Sequence, residues 1–248
     1  MTTITFLGTA AAVPNKAHQN THFFVHSGEN HLLVDCVGSP IVRLEQAGID
    51  PLAITDLVLT HFHPDHVSGV PLLLLDLWLM GRKAPLPIYG LEDVIDRLEK
   101  LLDIFYWKEC CIDLPLEMNR MPPEEMSLLI DREGFRVYGS PVFHAIPAMG
   151  IRVETADGVL GYSTDTRPCD AVVHLGKETD LLIHEATGPG TGHSLPYQAG
   201  EIAQKAGAKK LCLIHYDPDA DVSALVEEAQ STFDGEVFAA EDLMRFDF

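Results

Sequence analysis

The apolar run Asp56-Leu-Val-Leu-Thr60 is followed at once by His61-Phe62-His63-Pro64-Asp65-His66, and this junction constrains the chain more than any other part of it. A short apolar run that ends in a turn reads as the end of a buried β-strand, and the loop beyond it folds imidazole and carboxylate groups inward onto one point. His61 and His63, two apart, can share one ion. Asp65 and His66, beyond the turn forced by Pro64, can reach a second. Neutral imidazole nitrogen and carboxylate oxygen suit zinc, with manganese and iron as other occupants. A polar loop with a few surface histidines is a poor account of so dense a set of ligands.

The same arrangement recurs three times. His144 follows the run Arg136 to Phe143, Asp165 follows Gly161-Tyr-Ser-Thr164, and His215 follows Leu211-Cys-Leu-Ile214. Each alone would be an ordinary loop residue; together with the first cluster they read as the remaining ligands of one centre. Around them the pattern predicts strands at Ile4 to Leu7, Thr21 to His26, His31 to Asp35, 135 to 142, 150 to 155, 159 to 163, Asp180 to His184, Lys210 to His215 and Glu236 to Ala239. Helices are expected at 40 to 47, ended by Gly48, near Pro168, from Pro196 to Ala206 and around Val222 to Ala229. Leu91, Val94, Ile95, Leu98, Leu101, Leu102 and Phe105 recur at three- and four-residue steps, the mark of a helix whose apolar stripe faces a core. Strands fall in two blocks with helices between them, so two packed sheets with helices on their outer faces are expected. No repeat, linker or low-complexity tract divides the chain, and residues 1–248 are expected to form one domain.

Composition removes several alternatives. Asp and Glu number 37 against 17 Lys and Arg, a net charge of -20, which disfavours a broad surface for nucleic acid. The five cysteines, at 36, 110, 111, 169 and 212, show neither Cys-x-x-Cys spacing nor an even framework, and a reducing cytoplasm suits them. The amino terminus begins as a strand without a basic leader, so no signal peptide is expected. The apolar segment Pro71 to Met80 contains Asp76 and is too short to span a bilayer; it reads as a helix lining a pocket or an interface. A homodimer through that segment is the expectation for assembly.

These motifs together resemble the metallo-β-lactamase-fold hydrolases, and within them the ribonuclease Z-like branch, over the span from Gly8-Thr9 to His215. The resemblance implies a four-layer αββα sandwich, an α/β (α+β) fold, with the site at one edge of the sheets. It implies one metal on His61, His63 and His144, another on Asp65, His66 and His215, and Asp165 bridging both. The branch rests on His184-Glu185-Ala186-Thr187 and Gly192-His193-Ser194. Glu185 and His193 match a pair taken to protonate the leaving oxygen of a phosphodiester, and a Glu beside a His favours the protonated ring that a general acid requires. Asp65 is expected to help orient the attacking water. Asp35 and Cys36, also at a strand end, are candidates for support behind the ligands, whereas His18, His22, His26, His31 and His174 read as surface or core histidines.

The chain departs from this branch in two places. A tRNA-processing ribonuclease Z carries a long arm between the third His and the bridging Asp, but here residues 145 to 164 are consumed by two strands and the turn Ala156-Asp-Gly158. The loop that the resemblance predicts as Pro-x-Lys-x-Arg-Asn is only approximated by Pro14-Asn15-Lys16-Ala17-His18-Gln19-Asn20, without the Arg. The expected activity is therefore that of a dinuclear, zinc-type phosphodiesterase acting on a small phosphodiester or cyclic nucleotide. The alternatives are a lactonase or carboxylic ester hydrolase on the same metals, a tRNA 3′-processing endonuclease, a flavodiiron-type redox enzyme and a non-catalytic binding module. The redox alternative is disfavoured because a Glu is expected there in place of His63.

Overall fold

The computed structural model describes residues 1–110 and 112–248; of the cysteines singled out above, Cys111 lies outside the described residues. Two seven-stranded sheets pack face to face. The first runs in the spatial order β14 (Arg245–Asp247), β1 (Thr2–Gly8), β2 (His22–Ser27), β3 (Asn30–Val34), β4 (Asp56–Val58), β5 (Leu86–Leu91) and β6 (Leu116–Met121). The second runs β13 (Glu236–Ala239), β12 (Lys210–Ile214), β11 (Leu181–Glu185), β10 (Val159–Tyr162), β9 (Ala148–Thr155), β8 (Phe135–Val142) and β7 (Ser127–Arg132). Helices α1 (Pro40–Gln46), α2 (Pro64–Val67), α3 (Val70–Leu79) and α4 (Glu92–Ile104) accompany the first sheet, and α5 (Asp170–Leu175), α6 (Pro196–Ala206) and α7 (Val222–Gln230) the second. The result is the αββα sandwich expected from the two blocks of strands.

A sheet covered on both faces favours strands that are apolar throughout rather than alternating, which is why Leu57-Val58, Leu181-Leu-Ile183 and Leu211-Cys-Leu-Ile214 are buried along their whole length. The space between the sheets is filled from both sides, and Phe23 on β2 meets Tyr162 on β10 edge to face at a centroid distance of 4.9 Å. Outside the second sheet, Ala199, Ile202 and Ala203 of α6 pack over Leu182, Leu211 and Leu213. α1 ends as its Gly predicted, with Gly48 taking a φ of +71° that an L side chain would resist.

A partly buried ion pair crosses between the sheets. Asp56 on β4 is fully buried, and Arg132 on β7 donates to both of its carboxylate oxygens at 2.6 and 2.8 Å. Thr55 Oγ1 donates to the same carboxylate at 2.7 Å. Arg132→Leu would leave that buried charge with fewer donors, and we expect a loss of roughly 2 kcal/mol in urea unfolding, below the cost of breaking a fully buried pair because Thr55 remains.

The strand at 56 to 60 proves shorter than its apolar run, ending at Val58, because the Thr60 N–H is taken by the Asp35 carboxylate at 2.8 Å instead of by a neighbouring strand. Phe105, expected on the core stripe, is exposed: it lies one residue past the end of α4. There it joins Leu72, Leu75, Trp78 and Trp107 around an apolar groove of about 500 Å³, so the Pro71 to Met80 segment does line a cavity. Strands β5, β6, β7 and β14 were not expected from the pattern. The described cysteines are all free; Cys36 and Cys212 are buried while Cys110 is exposed. Among the described residues no helix is long and apolar enough to cross a membrane.

β8, β10, β11 and β12 share one direction in the second sheet. Their C-terminal ends therefore gather at one edge, where β4 of the first sheet also ends. The sheets are stitched together there. Met149 N–H donates to Thr60 C=O at 3.0 Å, Ala11 N–H to Tyr216 C=O at 3.0 Å, and His215 N–H to Thr9 C=O at 2.9 Å.

Candidate metal centre

All seven expected ligands meet at this edge. His61 Nε2 and His144 Nε2 lie 3.2 and 3.1 Å from His63 Nδ1, and Asp165 Oδ2 lies 3.8 and 3.9 Å from His61 Nε2 and His144 Nε2. Beside them, Asp65 Oδ2 is 3.8 Å from His66 Nε2 and 3.6 Å from His215 Nε2. Asp165 reaches this second group as well, Oδ1 at 3.5 Å from His66 Nε2 and Oδ2 at 3.4 Å from His215 Nε2. Ligand atoms arranged tetrahedrally at about 2.1 Å from one ion stand about 3.4 Å apart, so these separations leave room for an ion within each group. His66 Nε2, His215 Nε2 and Asp165 Oδ1 are buried without a hydrogen-bond partner, an arrangement that costs free energy unless something with positive charge is shared between them. The cluster is capable of holding one or two divalent ions.

The groups behind the ligands decide which nitrogen faces the ion. His144 Nδ1 donates to the Gly192 carbonyl at 2.9 Å, and His66 Nδ1 donates to Asp35 Oδ2 at 2.7 Å. Thr187 gives its hydroxyl proton to the His215 carbonyl, so its oxygen accepts from His215 Nδ1, both at 2.8 Å. Thr60 likewise donates to Asp35 Oδ2 at 2.8 Å and accepts from His61 Nδ1 at 3.1 Å. In all four rings the Nδ1 proton is committed outward and the Nε2 lone pair is left for a metal, the usual way a protein fixes a ligating imidazole.

Asp35 thus supports two ligands. Cys36 contributes through its backbone instead, its N–H bonding the His66 carbonyl at 2.9 Å, while burial pushes its thiol up. Three residues here, Asp35, Thr164 and His215, have φ of +59°, +52° and +53°. Backbone of this kind costs on the order of 1–3 kcal/mol per residue and gathers at functional sites; it turns the chain sharply enough to aim Asp165 and His215 at the cluster.

Electrostatics agree with a cation-receiving site. Burial opposes charge on His66, but Asp165 and Asp35 outweigh it and raise its pKa well above the ordinary value. Burial also opposes ionisation of Asp165, yet His215 and His66 hold its carboxyl well below the usual range. His61, buried and beside His66, is lowered instead.

Glu185 and His193 are also brought together, with His193 Nδ1 donating to Glu185 Oε1 at 3.0 Å. The Glu185 hydrogen bond raises the pKa of His193 against the opposing effect of partial burial. The His193 ring stacks on His215 at 5.9 Å and meets His144 edge-on at 5.0 Å. Glu185 does more than the sequence suggested. Fully buried, it also accepts from the N–H groups of Thr166, Ser194 and Thr187 at 3.0, 3.1 and 2.9 Å. It therefore fixes the chain just after Asp165 and the segment carrying the partner of His215.

Beside the ligands opens a cavity of about 600 Å³. Its outer wall is Ala11 to Asn15 on one side and Asp217 to Asp219 on the other, joined by Asn15 Nδ2 donating to Asp219 Oδ1 at 3.0 Å. Lys16, from the loop whose Arg is missing, is exposed and does not line it. His22 is buried in the core, where desolvation lowers it to about 4, and His174 pairs with Glu125 at the surface.

Sequence reasoning missed Thr60, Thr187 and the Gly192 carbonyl as supports, and Asn15, Asp217 and Asp219 as wall. Gly192 has a φ of +89°, and a Cβ there would sit 2.9 Å from His144 Nδ1. Gly192→Ala should therefore displace His144 and weaken metal binding by about 10–100-fold, as losses behind a ligand typically do, measured by competition with a chromophoric chelator.

The sandwich, with its His and Asp cluster at one edge, defines the class: this is a metallo-β-lactamase-fold protein related to ribonuclease Z, with features consistent with a metal-dependent hydrolase. Within that class the chain belongs to the family described as Anti-Pycsar protein Apyc1, whose model matches residues 2–234. It is 27% identical to the ribonuclease Z of Methanothermobacter thermautotrophicus over 300 aligned positions, covering 98% of this chain and 96% of that protein. Because the alignment is longer than this chain of 248 residues, that relative carries segments without a counterpart here. Human tRNase Z, short form, superposes with a TM-score of 0.80 at 27% identity, covering 99% of this chain and 98% of that one. YhfI from Bacillus subtilis, called a metallo-beta-lactamase fold protein, shares the fold at a TM-score of 0.83 and 23% identity, with 99% and 98% covered.

Proposed function

We propose that the protein is a phosphodiesterase that uses two divalent ions, zinc before manganese or iron, to hydrolyse a small phosphodiester such as a cyclic nucleotide. The observation that carries this reading is the His193–Glu185 pair beside the ligand cluster, since cleavage of a phosphodiester requires a proton for its leaving oxygen. Two ions, when bound, neutralise phosphoryl oxygens and acidify the attacking water. With Nδ1 committed to Glu185, His193 holds its transferable proton on Nε2 and passes it to the departing oxygen. Asp65, at the cavity wall, orients the water. Thr187, Thr60, Asp35 and the Gly192 carbonyl keep the imidazoles in place.

The cavity of about 600 Å³ supports a substrate of nucleotide size. β9 and β10 occupy the span in which ribonuclease Z was expected to carry its arm. The test is metal analysis with a hydrolysis panel of bis(p-nitrophenyl) phosphate, 2′,3′- and 3′,5′-cyclic nucleotides, a lactone, a β-lactam and a pre-tRNA. Turnover of cyclic nucleotides is expected. Turnover of the lactone with no phosphodiester would replace this reading by carboxylic ester chemistry, and efficient pre-tRNA processing would replace its small substrate. A cytoplasmic setting, supported by the free cysteines, and a homodimer built on the α3 groove belong to the same proposal; sedimentation checks the latter.

A further inference from the structure

A phosphate-binding cavity ordinarily recruits Lys or Arg, and this one has neither among its lining residues. Its wall offers instead the apolar Val13 and Pro14 on one side and the exposed Asp217 and Asp219 on the other. The nearest cation in sequence, Lys16, lies outside the cavity. Among the lining residues the attraction for phosphate is thus left to the metal ligands and His193, and the two exposed carboxylates repel it. From this we infer that Asp217 and Asp219 set specificity by charge, admitting phosphodiesters whose only negative charge is at the reacting phosphate and rejecting ligands that carry a second phosphate. The inference rests on the phosphodiesterase reading for its substrate, but the selectivity itself is a property of the wall.

Two features make the two aspartates suitable for this. They sit two and four residues after His215, just past the end of β12, so the sharp turn at that ligand also fixes where they project. They are also held in place: Asp217 Oδ1 accepts from the Asp219 N–H at 3.0 Å, and Asp219 Oδ1 accepts from Asn15 Nδ2 at 3.0 Å. Both bonds use a carboxylate oxygen as acceptor, and an asparagine oxygen can replace it. Asp→Asn at either position therefore removes charge while keeping the loop. Since both groups are exposed, their repulsion is screened by salt.

The experiment compares thymidine 5′-monophosphate with thymidine 3′,5′-bisphosphate as ligands of the metal-loaded protein, by calorimetric titration in low salt. The same comparison is made by hydrolysis, using the 5′-p-nitrophenyl ester of thymidine 5′-phosphate with and without a 3′-phosphate. The native chain should prefer the singly phosphorylated ligand by at least about tenfold. In Asp217→Asn/Asp219→Asn the preference should shrink to within about threefold, and half-molar salt should shrink it in the native chain. Equal affinity in the native chain, or a preference unchanged by the double substitution, would overturn the inference. Asp219→Asn alone supplies the comparison if the double variant loses metal. A charge preference that disappears with the substitutions, in a protein that hydrolyses neither these esters nor any phosphodiester of the panel above, would uphold the inference while rejecting the phosphodiesterase reading.

Discussion

Asp165→Ala is expected to release the bound ions and abolish hydrolysis together. Its carboxylate approaches both groups of ligands, with one oxygen toward His66 and the other toward His61, His144 and His215. Removing it takes away the negative charge that offsets two cations in a buried place and leaves Asp35 as the carboxylate hydrogen-bonded to His66. The charge stabilisation supplied by such ions amounts to several kcal/mol, so turnover should fall about a thousandfold or more. Inductively coupled plasma mass spectrometry after gel filtration should find less than one ion per chain, with circular dichroism reporting that the fold persists. A variant that kept two ions and lost only activity would give Asp165 a role in the chemistry instead of in binding.

His193→Ala should behave in the opposite way with respect to metal. Its Nδ1 is directed at Glu185 rather than at a ligand, so the ions are expected to stay. Losing a general acid costs typically 10²–10⁴-fold, and the loss should depend on the leaving group. A ribose alkoxide needs the proton, whereas p-nitrophenolate departs without one, so bis(p-nitrophenyl) phosphate should be slowed least. Equal slowing of both classes would count against the acid role. Substituting Glu185 is a less clean experiment, because four donors converge on its carboxylate and its removal would loosen the backbone on either side of the centre.

The ligands were legible because metal binding needs particular side chains, and strand ends announce themselves as apolar runs that stop. His61, His63, Asp65 and His66 were visible as a cluster, and His144, Asp165 and His215 as polar residues at the same kind of boundary. What holds them was harder to see. The partner of His144 is a backbone carbonyl, which every residue possesses, and Thr60 and Thr187 are threonines among many. The same logic explains the strands that escaped notice. β6, β7 and β14 are edge strands, which pair on one side only and keep residues such as Glu117, Asn119 and Arg120 exposed or half-exposed; they lack the apolar continuity of a central strand. β5 is central but carries Pro87 and Gly90, both of which argue against a strand when read alone.

The ligands are divided across the seam between the sheets. On the proposed assignment each ion takes two residues from the segment between β4 and the end of α2 and the rest from loops of the second sheet, with Asp165 shared. Neither half of the molecule could therefore complete a coordination shell alone. A chain still emerging from the ribosome, or one whose sheets have parted, would hold its ions poorly and cleave little. Under the proposed function, hydrolytic competence would then arise only at the moment the two halves close on each other, a built-in proofreading of assembly.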